Sequence, residues 1–339
     1  MANPIPIAKP SKIALLGAET LLGRELKDVI GDRLKSASLS LYAANAAGSF
    51  GEQEGEAAYV EPFEAEAARA SKAVLVAGTD PGARKAYALV KAARGVPKII
   101  DCTGHLEQQP EARILAPLLE QDDPKTSWLL VIAHPAACAL ALTLKRLARY
   151  QPIVRSVANI FEPASERGKE GIAELQQQTT GLLAFKSLNK RVFDEQLSFN
   201  MLARYGESAP VKLSSIEQRI ENGIATIFSR EAKAAWPPLP SIRLTQAPVF
   251  HGYSMSLWVE FEKNALAGEL AEALASAQIE VRGSNDEPPT NVGVAGQSGL
   301  SAGDIRVDRN NPRAAWLWIV CDNLRLTASS AVDLLTRIL

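Results

Sequence analysis

Short apolar segments alternate with helical segments over the first 133 residues, and this alternation constrains the fold more than any other feature of the sequence. The apolar segments are Lys12 to Leu16, Ser38 to Ala43, Ala73 to Ala77 and Lys98 to Asp101, and a helix at Ala83 to Ala93 separates the last two. Parallel strands need long connections across the sheet, and these are usually helices. We therefore predict an α/β domain with a doubly wound parallel sheet.

A loop that contains glycine follows the first of these strands. In the segment KIALLGAETLLGRELKDVI, Gly17 and Gly23 bracket a turn into a helix. In the G-x-x-G-x-x-G loop of Rossmann-like domains, backbone N–H groups and the helix dipole hold a pyrophosphate. We predict an NAD(P) site at Gly17, Thr20, Leu21 and Gly23, although Thr20 replaces the middle glycine and its side chain can block the phosphates. The alternative is a plain strand-to-helix turn of an open sheet.

The end of the second strand favours neither nicotinamide nucleotide. Its sequence is AANAAGS, and its polar residues are Asn45 and Ser49. An NADP site would have Arg, Lys or Ser here for the 2′-phosphate, whereas an NAD site would have Asp or Glu for the ribose. Asn45 is therefore a candidate cofactor residue, and we predict that NADP binding is possible but weakened or lost.

A cysteine lies in the first turn of a predicted helix in the segment IAHPAACALALT. An apolar strand ends at Ile132, a turn follows at His134 and Pro135, and the helix begins near Ala136. The N–H groups and the positive end of the helix dipole stabilise a thiolate at such a position. With a nucleotide loop in the same chain, a reactive Cys138 would indicate an aldehyde dehydrogenase that works through a thioester. The alternative is that Cys138 is a small buried apolar residue.

The pattern changes after residue 145. The later predicted strands are Val154 to Phe161, Ile242 to Val249, His251 to Glu262 and Trp316 to Cys321, and the later predicted helices are Glu170 to Leu183, Ile216 to Phe228, Ala265 to Ser276 and Asn323 to Leu339. Residues 282–304 are rich in Gly, Pro, Asn and Ser, which predicts a loop. The strand from His251 alternates polar and apolar residues, as half-buried antiparallel strands do. We predict an α+β domain with a mainly antiparallel sheet, whose open face can pair with a second copy.

Composition argues against several classes of function. The formal net charge of −1 provides no broad basic face for nucleic acid. No apolar run approaches the ~20 residues of a membrane-spanning helix, and we expect neither a membrane partner nor a secretory signal. The cysteines Cys102, Cys138 and Cys321 are widely spaced, which matches no metal site or disulfide framework and favours a cytoplasmic setting.

Six segments resemble motifs of the aspartate-semialdehyde dehydrogenase family in order and spacing. They are GAETLLGRE for GATGxVGxE, AHPAAC for NPxC, SERGKEGIAEL for SGAGxxxxxEL, APVFHGYSMS for RVPVxxGHS, AGDIRVD for VGRIRxD and DNLRLTASSAV for DNLRKGAAxxAV. The resemblance extends from residue 12 to residue 339. It implies an NAD(P)-binding domain at 1–133 and 323–339, a catalytic and dimerisation domain at 134–322, and homodimers formed through the second domain's sheet.

The resemblance also assigns the family's site to particular residues. In the family, a cysteine attacks the aldehyde or acyl phosphate, hydride passes to NADP, and phosphate resolves the thioester. The nucleophile matches Ala137, one residue before Cys138, and the histidine base matches Tyr253, two residues after His251. The other matches are Gln246 for the substrate arginine, Glu162 for the orienting glutamine, Glu107 for the phosphate arginine, His134 for the asparagine beside the nucleophile, Asp304 for the arginine of VGRIR, Glu217 and Arg219 for a substrate-binding acid and base, and Asn323 for the asparagine near the nicotinamide.

These differences predict a catalytically silent homologue that acts as a binding or partner protein, as a homodimer or as a heteromer with an active relative. The family's anionic substrate needs cationic or neutral groups, whereas Glu107, Glu162 and Asp304 are expected to line the cleft. Two unit charges ~4 Å apart interact by about 4 kcal/mol at an effective dielectric constant of ~20, so replacing attraction by repulsion is a severe change.

Two alternatives to the silent homologue remain open. The first is an active NADP-dependent semialdehyde dehydrogenase of the aspartate amino-acid biosynthetic pathway, which would use Cys138 as nucleophile and His251 or His134 as base. The second is an enzyme of different chemistry in the same cleft, with Tyr253 as acid and Glu162 as base.

Overall fold

The computed structural model describes residues 12–53, 56–119, 127–230 and 236–339. The chain divides into two compact units. The first unit contains the described residues up to Pro117, the strand that ends at Ile132, and Ala328–Leu339; the second unit contains Ala133–Thr327. None of the described helices has the length and apolar composition that crossing a membrane requires.

The first unit is built on a parallel sheet. Its elements are β1 Lys12–Leu16, α1 Leu21–Arg33, β2 Ser38–Tyr42, β3 Ser49–Gln53, β4 Glu56–Val60, α2 Ala65–Ala70, β5 Ala73–Val76, α3 Asp80–Ala92, β6 Lys98–Asp101, β7 Ala112–Leu115 and β8 Leu129–Ile132. Six strands form one sheet in the order β2-β1-β5-β6-β8-β7, and every pairing in it is parallel. This confirms the predicted doubly wound sheet. The antiparallel pair β3 and β4, and strand β7, were not predicted.

Both faces of this sheet are covered. Successive side chains of a strand point to opposite faces. In β1, Ile13 and Leu15 pack with α1 and with Val332 near the C-terminus, whereas Ala14 and Leu16 pack with α2 and α3. Because both faces are buried, these strands appear in the sequence as continuous apolar segments rather than alternating ones.

The second unit contains a mixed sheet. Its elements are α4 Pro135–Tyr150, β9 Ile153–Glu162, a 3-10 helix Ala164–Arg167, α5 Gly168–Leu183, α6 Leu213–Ser229, β10 Ser241–Gln246, β11 Tyr253–Phe261, α7 Ala267–Leu274, β12 Ile279–Val281, β13 Leu300–Val307 and β14 Ala314–Cys321, and it includes the start of α8 Asn323–Ile338. The strand order is β10-β9-β11-β14-β13-β12. The three central pairings are antiparallel and the two outer pairings are parallel. The prediction of a mainly antiparallel sheet is therefore confirmed for its centre.

Some predicted boundaries were wrong, and the one at β11 bears on the site. This strand begins at Tyr253 rather than at His251, because Gly252 turns the chain with a φ of +80°. His251 precedes the strand and does not share a strand face with Tyr253. Helix α4 continues to Tyr150, beyond its predicted end at residue 145, and residues 300–304 of the predicted loop belong to β13.

Helix α4 begins deep inside the second unit. Every residue from Pro135 to Leu144 is buried, as expected for a helix that is apolar on all sides. Its small side chains allow α6 to approach closely, since a Cβ added to Gly223 would lie 3.1 Å from Cβ of Ala137. The residues at the N-terminus of α4 are therefore enclosed by protein.

Candidate functional site

The loop after β1, predicted to hold a dinucleotide, makes a tight turn at two glycines. Gly17 has a φ of +86°, and a Cβ there would meet the carbonyl carbon of Ala77 at 2.6 Å. A Cβ on Gly23 would lie 1.9 Å from the carbonyl oxygen of Gly17. Glycine is therefore required at both positions, for the left-handed turn and for the contact between α1 and the loop.

Thr20 is the N-cap of α1. Its Oγ1 accepts a hydrogen bond from the N–H of Gly23 at 2.9 Å, and the hydroxyl lies 2.8 Å from the carbonyl oxygen of Gly17 and 3.0 Å from that of Ala77. An N-cap hydroxyl satisfies one N–H group of the first helical turn. The N–H group of Gly23 is therefore already hydrogen-bonded within the protein. Leu21, the first residue of α1, is partly buried.

The chain after β2 contains a contact that the sequence did not predict. The N–H of Ala44 donates a hydrogen bond to Oε1 of Glu19 at 2.9 Å, so an acidic side chain from the glycine loop reaches the end of β2. Asn45 turns its Oδ1 to the N–H of Ala47 at 2.9 Å. The loop thus has the glycines of a dinucleotide-binding turn, and a carboxylate lies beside the end of β2.

At the N-terminus of α4, the thiol of Cys138 is buried. The side chain is 2% exposed, and its Sγ donates to the carbonyl oxygen of Ala133 at 3.6 Å. Ala137, at the position that matches the family's nucleophile, is fully buried. Burial raises the pKa of the other two cysteine thiols, Cys102 and Cys321.

His134 caps α4 from inside the protein. Its Nδ1 accepts from the N–H of Ala136 at 3.2 Å, and Nε2 lies 3.9 Å from Oε2 of Glu166 without a hydrogen bond among the described residues. Burial lowers the pKa of His134 well below its ordinary value, and the positive charges of Arg219 and Arg167 lower it further. The imidazole is therefore neutral near pH 7.

A closed hydrogen-bond network surrounds Glu162 at the end of β9. Its carboxylate accepts from the Tyr205 hydroxyl at 3.2 Å, from Arg167 at 3.3 Å and from the Tyr253 hydroxyl at 3.4 Å. Gln246 shares the single proton of the Tyr205 hydroxyl with Glu162, at the shorter distance of 2.6 Å, and its Nε2 donates to the backbone oxygen of Glu162 at 2.8 Å. Glu162, Gln246 and Tyr253 are 0% exposed, so the network excludes solvent.

Burial changes the acidity of this network. It raises the pKa of Glu162 to about 7, with Arg167 acting in the opposite direction. Burial and the charge of Glu162 raise the pKa of both Tyr205 and Tyr253. The two tyrosines therefore stay protonated and act as hydrogen-bond donors to a carboxyl group that titrates near neutrality.

Asn323, predicted to contact the nicotinamide, is engaged inside the second unit. Its Oδ1 accepts from the N–H of Gly252 at 3.1 Å and from Ser165 at 3.2 Å, and its Nδ2 donates to Glu166 at 2.8 Å. The amide thus joins the start of α8 to the turn before β11 and to the segment before α5.

The remaining candidate residues of the second unit lie in different surroundings. His251 is exposed, and Asp304 is exposed and pairs with Arg306 at 3.4 Å. Glu217 accepts from the N–H of Leu244 at 2.6 Å and so joins α6 to β10.

Of the acids expected to line a cleft, Glu162 is buried in the network, Asp304 is at the surface, and Glu107 belongs to the first unit. The described residues contain no group of three or more His, Cys, Asp or Glu that could hold a metal ion.

Two members of the network, Tyr205 and Arg167, were not predicted from the sequence. Tyr205 lies 43 positions from Glu162 in a segment without regular periodicity. Arg167 is five positions from Glu162, in the segment SERGKEG that was used only for its resemblance to a family turn. The signal available in the sequence was an arginine, Arg167, close to the end of a predicted buried strand.

The chain is similar to semialdehyde dehydrogenases over almost its whole length. Residues 144–326, more than half of the chain, match a family model described as semialdehyde dehydrogenase, dimerisation domain. The USG-1 protein homolog of Azotobacter vinelandii is 31% identical over 334 residues, which cover 95% of this chain and 96% of that protein. The aspartate-semialdehyde dehydrogenase of Rickettsia bellii is 27% identical over 338 residues, with coverage of 95% and 96%.

A solved structure agrees with these relatives. The structure of a probable aspartate-semialdehyde dehydrogenase from Pseudomonas aeruginosa matches this chain with a TM-score of 0.79 at 26% identity and covers 97% of both chains. The chain therefore belongs to the semialdehyde dehydrogenase family and has the fold of an aspartate-semialdehyde dehydrogenase.

Proposed function

We propose that this chain is a catalytically silent aspartate-semialdehyde dehydrogenase homologue that acts as a binding or partner protein. The observation that carries the proposal is the closed network around Glu162. Tyr253, Gln246 and Glu162 match the family's base, substrate arginine and orienting glutamine, and all three are fully buried and bonded within the network. Groups that bind a substrate must face it, whereas these groups satisfy one another.

The nucleophile position supports the same proposal. Ala137 has no group that can attack a carbonyl carbon. The thiol of Cys138 donates its proton to the carbonyl oxygen of Ala133, and a thiolate, the reactive form, cannot make that bond. Losing the nucleophile of a covalent mechanism typically removes several orders of magnitude in rate.

The charge of the network opposes the family's anionic substrates. The side chains of Arg167 and Glu162 already pair at 3.3 Å. A substrate carboxylate brought to ~4 Å from an ionised Glu162 would be repelled by about 4 kcal/mol at an effective dielectric constant of ~20. Arg167 is therefore already engaged by a carboxylate of the protein itself.

The active alternative requires both Cys138 and His251 to leave the surroundings that they have in this structure. Cys138 is buried, whereas His251 is exposed and precedes β11. His134 is nearer to the helix N-terminus, but its lowered pKa makes it a weak base. In the enzyme of different chemistry, Tyr253 and Glu162 would have to open to a substrate, and both are 0% exposed.

Turnover tests the proposal directly. Purified protein is mixed with β-aspartyl semialdehyde, phosphate and either NADP or NAD, and the reduced nucleotide is followed by absorbance. We expect no rate above the protein-free control. A steady rate that Cys138→Ser abolishes, and that the matched change Cys321→Ser at another buried cysteine preserves, would overturn the proposal in favour of the active alternative.

Alkylation of Cys138 provides a second test. A protein with Cys102 and Cys321 replaced by alanine is treated with iodoacetamide across a range of pH, and Cys138 modification is followed by mass spectrometry. We expect slow modification that rises only at alkaline pH, because the thiol is buried and hydrogen-bonded. Rapid modification below neutral pH would reveal a thiolate and contradict the proposal.

The nucleotide and domain assignments belong to the same proposal. The first unit, with the end of α8, corresponds to an NAD(P)-binding domain, and the second unit corresponds to the catalytic and dimerisation domain of the family. The cap at Thr20 and the carboxylate of Glu19 support weak NADP binding or none. A cytoplasmic location and a heteromer with an active relative stay predictions.

Assembly as a homodimer is proposed through the open face of the second unit's sheet. Val157, Trp258 and Trp316 lie side by side on β9, β11 and β14, and Val157 is 39% exposed. Asp308 accepts hydrogen bonds from both indole N–H groups, at 2.8 and 3.0 Å. Half-exposed tryptophans with bonded polar tips are typical of interfaces. Light scattering should give a dimer mass, and Val157→Glu should give a folded monomer.

A further inference from the structure

We propose that the second unit docks an acidic, amphipathic segment of a partner protein on an apolar patch formed by Leu183, Phe185, Phe199 and Met201. This rests on the proposed function, which makes the chain a binding or partner protein, and it adds the surface and the chemical class of the partner. All four side chains are exposed, and those of Phe185 and Phe199 are 98% and 70% exposed. Large apolar side chains that lie exposed together mark interaction sites on soluble proteins.

The patch brings together the end of α5 and a loop that follows it. Leu183 is the last residue of α5, and Phe185 lies two positions beyond it. The hydroxyl of Thr179 lies 2.9 Å from the hydroxyl of Ser198, the residue before Phe199. Because Thr179 is one helical turn before Leu183, Phe199 and Leu183 occupy neighbouring positions on the surface.

The loop that carries Phe199 is fixed to α5 by two buried side chains, Gln178 and Glu174. Gln178 donates from Nε2 to two carbonyl oxygens of the loop and accepts at Oε1 from two of its N–H groups, whereas Glu174 accepts from two further N–H groups. These six bonds are 2.7–3.2 Å long and fall between residues 189 and 198. A surface that is already ordered loses less conformational freedom when it binds.

The two aromatic rings of the patch are presented by an unfavourable backbone. Phe185 has a φ of +55° and Phe199 a φ of +57°, a region that bulky side chains rarely adopt. Burial of the rings does not compensate for this conformation, because both rings are exposed. Strained residues of this kind cluster at functional and ligand-binding sites, which favours a role for the rings in binding.

The same segments carry positive charge that is not neutralised by described residues. Lys186, Arg191 and Arg204 are exposed, and none of them forms an ion pair with a residue that the structure describes. Lys190, by contrast, pairs with Glu195 at 4.0 Å. An acidic segment would complement these three cations while its apolar side chains cover the rings, and such complementarity gives an interface its specificity.

A second copy of this chain complements the patch less well. A two-fold axis through the patch would bring the same three cations against one another. On the open face of the sheet, Glu260 already accepts from Arg155 and Arg313, and Asp308 already accepts from two indole N–H groups. An anionic membrane could use the same charges, but a fluid bilayer gains nothing from a rigidly fixed loop. These observations favour a protein segment.

Peptide binding tests the inference without nucleotide or aldehyde. The probe is a fluorescein-labelled peptide designed with leucines on one helical face and glutamates on the other, and its anisotropy is followed as the full-length protein is added. We expect saturable binding at micromolar protein, and a dissociation constant that rises about tenfold in Phe185→Ser and in Phe199→Gly. Glycine tolerates a positive φ, so Phe199→Gly should keep or raise the urea midpoint, whereas a structural role for the ring would lower it.

Two matched controls separate the patch from exposed side chains elsewhere. Val292 is an exposed apolar residue of the loop before β13, and Val292→Ser should leave the dissociation constant unchanged. Arg191→Glu should weaken binding several-fold, whereas Lys27→Glu, the same charge reversal on the exposed face of α1, should not. A peptide with lysine in place of glutamate should not bind.

Several outcomes would overturn the inference. They are no binding of the acidic peptide, equal binding of the lysine peptide, and an unchanged dissociation constant in both phenylalanine variants. Binding of phosphatidylserine vesicles without binding of the peptide would assign the patch to a membrane, and a dimer that Phe185→Ser dissociates would assign it to a second copy. Turnover of the aldehyde with peptide binding intact would overturn the proposed function alone, whereas no turnover and no peptide binding would overturn this inference alone.

Discussion

The glycine loop of the first unit and the network around Glu162 in the second differ in what determines their structure. The loop depends on backbone geometry, and its two essential glycines are present. The network depends on side-chain chemistry, since Tyr253 and Gln246 are held by bonds to Glu162 and to Tyr205. Backbone geometry therefore determines the loop, whereas contacts between side chains determine the network.

Gly23→Ala is the substitution with the largest expected effect, and it tests whether the loop is governed by its backbone. The new Cβ would lie 1.9 Å from the carbonyl oxygen of Gly17. We expect a loss of about 3 kcal/mol or more in the free energy of unfolding, measured by urea denaturation. Gly31→Ala, in the same helix with no atom within 4 Å, should instead stabilise by about 0.5–1 kcal/mol. Similar effects at both glycines would contradict this view of the loop.

Glu162→Gln tests whether the network is governed by the side-chain charge. The pKa of Glu162 is raised from 4.5 to about 7 in the folded protein, so the folded state holds its proton more tightly than the unfolded state does. This group's contribution to stability is therefore full below pH 4.5 and is lost as pH rises to about 7. The loss amounts to about 3 kcal/mol, at 1.36 kcal/mol per pKa unit.

The measurement is the free energy of unfolding as a function of pH for the wild-type protein and for Glu162→Gln. The difference between the two curves should change across this window, with the variant becoming relatively more stable as pH rises. Glu221→Gln removes an exposed carboxylate of α6 and should leave the curve unchanged. A constant difference between the wild type and Glu162→Gln would mean that Glu162 does not titrate in this window.

Tyr205→Phe and Tyr253→Phe rank the bonds of the network. Tyr205 lies 2.6 Å from Gln246 and 3.2 Å from Glu162, whereas Tyr253 lies 3.4 Å from Glu162. We expect a loss of about 1–3 kcal/mol for Tyr205→Phe, because a buried acceptor loses its donor, and less than about 1 kcal/mol for Tyr253→Phe. Urea denaturation of both variants measures the order, and the reverse order would show that the network is organised around Tyr253.

Thr20→Gly has the smallest expected effect and tests how far the loop has departed from its family. The hydroxyl that caps Gly23 is lost, and exchanging an N-cap threonine for glycine costs only a few tenths of a kcal/mol. The freed N–H should strengthen NADH binding several-fold, about 1 kcal/mol or less. Thr20→Ser keeps the hydroxyl and should change neither quantity. Weaker NADH binding in Thr20→Gly would mean that the cap supports the site.

Features that depend on residues close together in the sequence could be predicted. The parallel sheet follows from continuous apolar strands such as Ala73 to Ala77, and the helix cap at Thr20 lies within the loop that was singled out. The prediction that His251 belongs to the strand was wrong, because the positive φ of Gly252 turns the chain and the strand begins only at Tyr253. A hydrophobic pattern does not record such an angle.

Features that depend on contacts between distant segments could not be predicted. Glu19 reaches Ala44 across 25 positions, and Tyr205 reaches Glu162 across 43. The resemblance placed Glu162 and Tyr253 at functional positions, but it did not indicate that they bond to each other. Whether a replaced residue leaves a pocket open or fills it depends on neighbours supplied by the fold.

The mutual bonding of Glu162, Arg167, Tyr205 and Tyr253 has a consequence for evolutionary history. Exchanging Glu162, Arg167 or Tyr205 alone leaves a buried donor, acceptor or charge without its partner, at a cost of about 1–3 kcal/mol or more, whereas the longer bond of Tyr253 contributes less. These four side chains are therefore expected to change together rather than one at a time. Under the proposed function, a return to dehydrogenase chemistry would need several simultaneous substitutions, so the network acts as a one-way gate.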